Sequence, residues 1–148
     1  MNRLWLLILI FLLPCGAWAK IQWASQYRFI LAKDEPAFIM AYRANDDAIP
    51  PEEFKFSWTL FDTKQLVLHT RYREFPKQHI LTLERSRSSL REQLMPDPNN
   101  RIEGNTQLLL EFVEFNNEKK LATIDAFIQD RNERMRIEFD DPRKRQGK

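Results

Sequence analysis

His69 and His79 are the only two imidazoles in the chain. Two histidines ten positions apart can begin a metal site or supply a general base. A metal site needs at least a third ligand at a fixed distance, and neither histidine has Cys, Asp or Glu near it at a ligand spacing. A general base needs a nucleophile beside it. The one cysteine, Cys15, lies in a segment expected to be cleaved away, and no Gly-x-Ser-x-Gly turn presents a serine. Both histidines therefore read as half-exposed strand residues, on consecutive strands. Carboxylates come in adjacent pairs, Asp34-Glu35, Asp46-Asp47, Glu52-Glu53 and Asp140-Asp141. Glycoside hydrolysis needs two carboxylates about 5–10 Å apart across a cleft, which neighbours in a loop do not define. Asp46, Asp47, Glu52 and Glu53 flank one loop with oxygen ligands suited to Ca²⁺, but without EF-hand spacing. They read as solubilising charge. Asp125 alternates with Ile124 and Ala126, as on an ordinary half-exposed strand. No catalytic residue, metal ligand or cofactor is expected.

What remains is chemistry for binding. Lys plus Arg number 23 and Asp plus Glu 21, a net charge of +2. That balance argues against nucleic acid, which calls for a strongly basic surface. The cations singled out for a protein partner are Arg28, Arg136, Arg143, Lys144 and Arg145. The last three sit in a terminal run that also suits anionic lipid head groups. Trp23, Tyr27, Tyr42, Trp58 and Tyr72 could form a platform for sugar rings, but aromatic residues are also the usual strand formers and core fillers. Trp58 is expected in the core.

Residues 1–19 have the organisation of a signal peptide. Arg3 is followed by the apolar run Leu4 to Leu13, then Pro14 and Gly16, then small residues at Ala17 and Ala19. Cleavage is expected after Ala19. The apolar run is too short for the ~20 residues that span a bilayer, and Pro14 before Cys15 fits lipoprotein processing poorly. Cleavage removes the only cysteine, which suits a periplasmic protein without disulfides.

The elements that would position these residues are strands. Trp23, Tyr27, Phe29 and Leu31 alternate in a first strand, Ile21 to Leu31. Ala37 to Arg43 is apolar on both faces and reads as a central strand. Phe54, Phe56, Trp58 and Leu60 share one face of a hairpin arm, which turns at Asp62 to Gln65 into Leu66 to Tyr72. Phe75-Pro76 interrupts, and a short strand follows from Gln78 to Glu84. Arg85 to Met95 is the one helical candidate, with Ser89 and Glu92 spaced as a capping box and Leu90 and Leu94 one turn apart. A second hairpin pairs Thr106 to Phe115 with Lys120 to Asp130. Met135, Ile137 and Phe139 end the pattern, and Asp140 to Lys148 reads as a polar, disordered tail.

Seven or eight strands without crossover helices imply an antiparallel fold. The expectation is a two-sheet, immunoglobulin-like sandwich over residues 20–140, with a flexible basic tail at 141–148. A small up-and-down barrel is the alternative. The function expected is an exported, non-enzymatic adaptor that binds an envelope protein. A small-ligand or carbohydrate binder stands second and a hydrolase third. The expected docking edges are the first and last strands, and Pro at Arg28 or Arg136 is the expected way to block them.

Overall fold

The computed structural model describes residues 23–44, 48–84, 86–96, 106–130 and 133–145. The signal-peptide reading, Cys15, Asp46-Asp47 and most of the loop from Pro96 to Asn105 lie outside them.

Nine strands form two antiparallel sheets. They are β1 (Ser25–Ala32), β2 (Ala37–Arg43), β3 (Glu52–Asp62), β4 (Gln65–Tyr72), β5 (Phe75–Thr82), β6 (Ser89–Leu94), β7 (Thr106–Asn116), β8 (Leu121–Gln129) and β9 (Met135–Asp140). One sheet runs β1-β8-β7-β6 and the other β5-β4-β3-β2-β9. The sheets stack as a sandwich and do not close into a barrel. β2 lies inside its sheet, as its two apolar faces require. β1 and β9 are both edges, on the same side of the sandwich.

The core follows the alternation. Phe54, Phe56 and Trp58 of β3, Leu66 and Leu68 of β4, Leu108, Leu110 and Phe112 of β7, and Ala122, Ile124, Ala126 and Ile128 of β8 are all buried. Trp58 is 3% exposed, and its indole N–H donates to the carbonyl of Leu31 at 2.9 Å. A buried indole needs such a partner, and this bond ties the two sheets together.

Four expectations change. The first is Leu60, which is 57% exposed. The β3–β4 register slips between Trp58 and Leu60, so a bulge turns Leu60 outward and Phe61 inward. A second slip between Phe112 and Glu114 does the same for Phe115, and the two rings stack with centroids 3.9 Å apart. The second change is Phe75-Pro76, which opens β5 and does not interrupt it. The turn before it is Arg73-Glu74, with φ of 48° and 67°, the conformation of a two-residue hairpin turn.

Third, the helical candidate is strand β6. A spacing of four suits a helical turn, but it is also even, so Leu90 and Leu94 share one face of a strand. Glu92 lies between them on that inward face, at the rim, and reaches Lys77 of β5 at 2.8 Å. Fourth, the tail is ordered at its start. Asp140 closes β9, Asp141 is buried, and Pro142–Arg145 forms one helical turn.

Candidate functional site: the open edge of β1

In an antiparallel ladder each residue sends its N–H and C=O to one side, and successive residues alternate. A few bonds therefore settle what every edge offers. Phe112 N–H donates to Ser88 O at 2.7 Å. Even-numbered residues of β7 before its bulge thus face β6, and odd ones face β8. The β7–β8 and β8–β1 registers carry this on, so Ser25, Tyr27, Phe29 and Leu31 bond to β8. Gln26, Arg28, Ile30 and Ala32 point outward. Ala32 N–H confirms it by donating to the Glu35 carboxylate at 2.8 Å, which closes that end. At the other end Ala24 N–H turns back to Ile128 O at 2.8 Å. Among the described residues the backbone groups of Gln26, Arg28 and Ile30 have no partner.

The other edges have stops at their ends, with outward residues between them: Gln78 and Ile80 on β5, Ser89, Arg91 and Gln93 on β6, and Ile137 and Phe139 on β9. On β5, Leu83 N–H bonds to Lys64 O and Thr82 N–H to Arg87 O. Even residues therefore face out, where Pro76 has no N–H to offer and Thr82 is taken. On β6, Arg87 O is taken by that bond, and Met95 N–H donates to the Tyr72 hydroxyl at 2.6 Å. On β9, Ala44 N–H donates to Arg134 O, so Arg136 and Glu138 face β2. Met135 faces out, but Asp130 accepts its N–H at 2.8 Å, and Asp141 curls into the terminal turn. Only Ile137 and Phe139 remain outward on β9. The Arg136 N–H thus lies inside the ladder, and Pro there would damage the fold instead of blocking an edge.

The side chains around β1 complete the site. Arg28 makes two bonds to Asp125, both 2.7 Å, and its side chain is still 60% exposed. The hydrogen bonds that Arg28 donates to Asp125, and then the charge of Asp125, raise the Arg28 pKa. On the opposite face of β1, Tyr27 stacks on Phe139 of β9 and donates to Asp141 at 2.9 Å. Asp141 also accepts Arg143 N–H at 3.0 Å. Lys144 Nζ lies 4.7 Å from the centre of the Tyr27 ring, and Tyr27 holds its pKa up. A cleft of about 360 Å³ runs along the edge, lined by Gln26, Tyr27, Arg28, Asp125 and Phe127.

The structure thus gathers Arg28, Arg143 and Lys144 at one edge. Arg136 is elsewhere, on the outer face of the other sheet, with its guanidinium 4.4 Å from the Tyr42 ring centre. The Arg145 side chain lies outside the description. His69 and His79 belong to adjacent strands but face opposite sides of the sheet. His69 bonds to Thr59 at 3.0 Å on the outside, and His79 bonds to Thr70 at 3.1 Å on the inside. They cannot share a metal ion, and no acidic, His or Cys cluster of metal-binding size occurs among the described residues. Burial lowers the His79 pKa, reinforced by Lys77 and opposed by Glu92. The five aromatics form no common platform: Trp58 and Tyr72 are core, Tyr27 is in the seam, Tyr42 is on the outer face and Trp23 rests on Phe127.

What sequence reasoning missed is the network at the far seam. Glu52 accepts from the Tyr72 hydroxyl and from Arg73 Nε, the latter at 3.0 Å. Partial burial works to raise the Glu52 pKa, but the bonds from Arg73 and Tyr72 outweigh it and hold it below the usual carboxylate range. Burial, and then the bond to Glu52, push the Tyr72 hydroxyl up to about 12. The three residues are far apart in sequence or lie in a turn, and no local pattern links them.

The fold defines a class, the two-sheet antiparallel sandwich. No protein-family model matches the chain, and neither a curated protein nor a solved structure does.

Proposed function

We propose that the protein is an exported, periplasmic, non-enzymatic adaptor that binds a protein partner by accepting one of its strands along β1. The observation that carries this reading is the edge itself. An unblocked row of backbone donors and acceptors is a template for an added strand, and soluble proteins ordinarily close such rows. On β1 the outward groups of Gln26, Arg28 and Ile30 lie between Ala24, whose N–H turns back to Ile128 O, and Ala32. β6 offers a row of equal length, but beside β1 lie the cleft and the cations Arg28, Arg143 and Lys144. Export rests on the sequence of residues 1–19, and N-terminal sequencing of the mature protein should begin at Lys20. No helix among the described residues is long and apolar enough to cross a membrane.

Site-directed photocrosslinking in the cell envelope tests the docking reading. A photoreactive residue at Gln26 or Ile30 should give an adduct of one discrete mass. The same residue at Gln78 of β5 should not, and Arg28→Pro should abolish the β1 adduct in a protein that still folds. Equal adducts from β5 and β1, or a β1 adduct indifferent to Arg28→Pro, would overturn it.

A further inference from the structure

We propose that the strand docking on β1 carries carboxylates at alternate positions, and that β1 rejects a second copy of itself. This rests on the strand-docking reading above. The outward residues Gln26, Arg28 and Ile30 are centred on Arg28, and their side chains share the outer face of the sheet. A strand laid beside β1 would put one of its side chains directly across from Arg28. Opposite charges at such a pair stabilise it, and like charges destabilise it. Asp125 uses the Nε and Nη2 of Arg28, which leaves Nη1 to donate to a second carboxylate.

The opposite face of an incoming strand would meet the terminal turn. There Lys144 is held over Tyr27, and Arg143 is exposed beside it. Asp141, the carboxylate nearest these cations, already accepts from Tyr27 and from the Arg143 amide. Whichever face of the added strand bears the carboxylates, a cation waits on that side. A second copy would pair antiparallel about the centre of the edge, which sets Arg28 against its own counterpart. The same charge that recruits an acidic strand therefore disfavours self-pairing, a common way of keeping an open edge from aggregating.

Two capped nine-residue peptides test this, one alternating Val with Glu and one alternating Val with Lys. Binding is followed by amide NMR of the whole mature protein. The Glu peptide should bind about tenfold more tightly than the Lys peptide, and the difference should shrink in high salt. It should protect the amides of Gln26, Arg28 and Ile30. Arg28→Ala should cut the preference to about twofold or less, while Arg28→Lys retains it. The free protein should sediment as a monomer. If both peptides protect the β1 amides equally, the charge rule fails and strand docking stands. If neither protects them at millimolar concentration, or if the protein dimerises through β1, docking by a foreign strand fails as well.

Discussion

The sandwich has two seams, and they are finished differently. At the β5/β6 seam the sheets are joined at three levels. Thr82 N–H bonds to Arg87 O, Lys77 pairs with Glu92, and Tyr72 bridges Met95 N–H and Glu52. At the β1/β9 seam the joining is all on the inner side, through Tyr27 to Phe139 and Asp141. The outward backbone of Gln26, Arg28 and Ile30 is left as it is. Closing an edge needs only a proline, a side-chain acceptor or a turn, and the chain uses all three elsewhere. On the strand-docking reading proposed above, the outward row of β1 beside its cleft and cations is the surface for recognition, and the tied β5/β6 seam serves stability.

The largest expected effect contrasts neighbours on β1. Phe29→Pro removes a ladder donor and a buried ring, and should cost at least the ~3–5 kcal/mol of a lost core Phe. Arg28→Pro removes an outward donor and should leave a folded protein. Urea unfolding of both variants checks this, and comparable losses would mean the alternation along β1 is misassigned.

Tyr72→Phe comes next. It strips Met95 N–H and Glu52 of a partner at a buried position, and should cost about 1–3 kcal/mol in the same assay. A loss within experimental error would mean water replaces the hydroxyl and the β5/β6 seam is looser than described.

Acid should act on the same seam. Glu52 has a lowered pKa in the folded state. Its contribution to stability is fully present above the unfolded value near 4.5 and is lost as pH falls through the folded value. Exchange of the Met95 amide should accelerate below that range in the wild type and respond less in Glu52→Gln. Identical profiles for the two proteins would remove Glu52 from the network.

The smallest effect is Lys77→Ala. Its ammonium is half exposed, so screening holds the loss below about 1 kcal/mol. A larger loss would show the ion pair to be a principal tie between β5 and β6.

The elements were legible in the sequence where alternation is unbroken. β2 matches its expected bounds residue for residue because both of its faces are apolar. The inner faces of β7 and β8 follow because their apolar alternation is unbroken from Leu108 to Phe112 and from Ala122 to Ile128. The bulges were not legible, because Phe54 to Leu60 alternate without a flaw and the extra residue at Thr59 is demanded by the Phe61–Phe115 stack across the sheets. β6 was misread because an even spacing satisfies two periods at once. At the site, chain-end reasoning pointed to β1 and β9 as edges. Which residues of β1 face outward depends on registers passed through β6, β7 and β8, and which of β9 on its pairing with β2; Arg136 shows how easily parity misleads when these are unknown. The burial of Asp141 is likewise a long-range matter, since its partner Tyr27 lies 114 residues away.

The measurement that bears most directly on the account is amide hydrogen exchange along β1, residue by residue, in the free protein and in the crosslink-identified complex. The account predicts alternation in the free protein, with Gln26, Arg28 and Ile30 fast and Tyr27, Phe29 and Leu31 slow. In the complex all six should be slow. If the outward three stay fast in a saturated complex while Gln78 and Ile80, or Ile137 and Phe139, become protected, the partner docks on another edge and β1 is not the site.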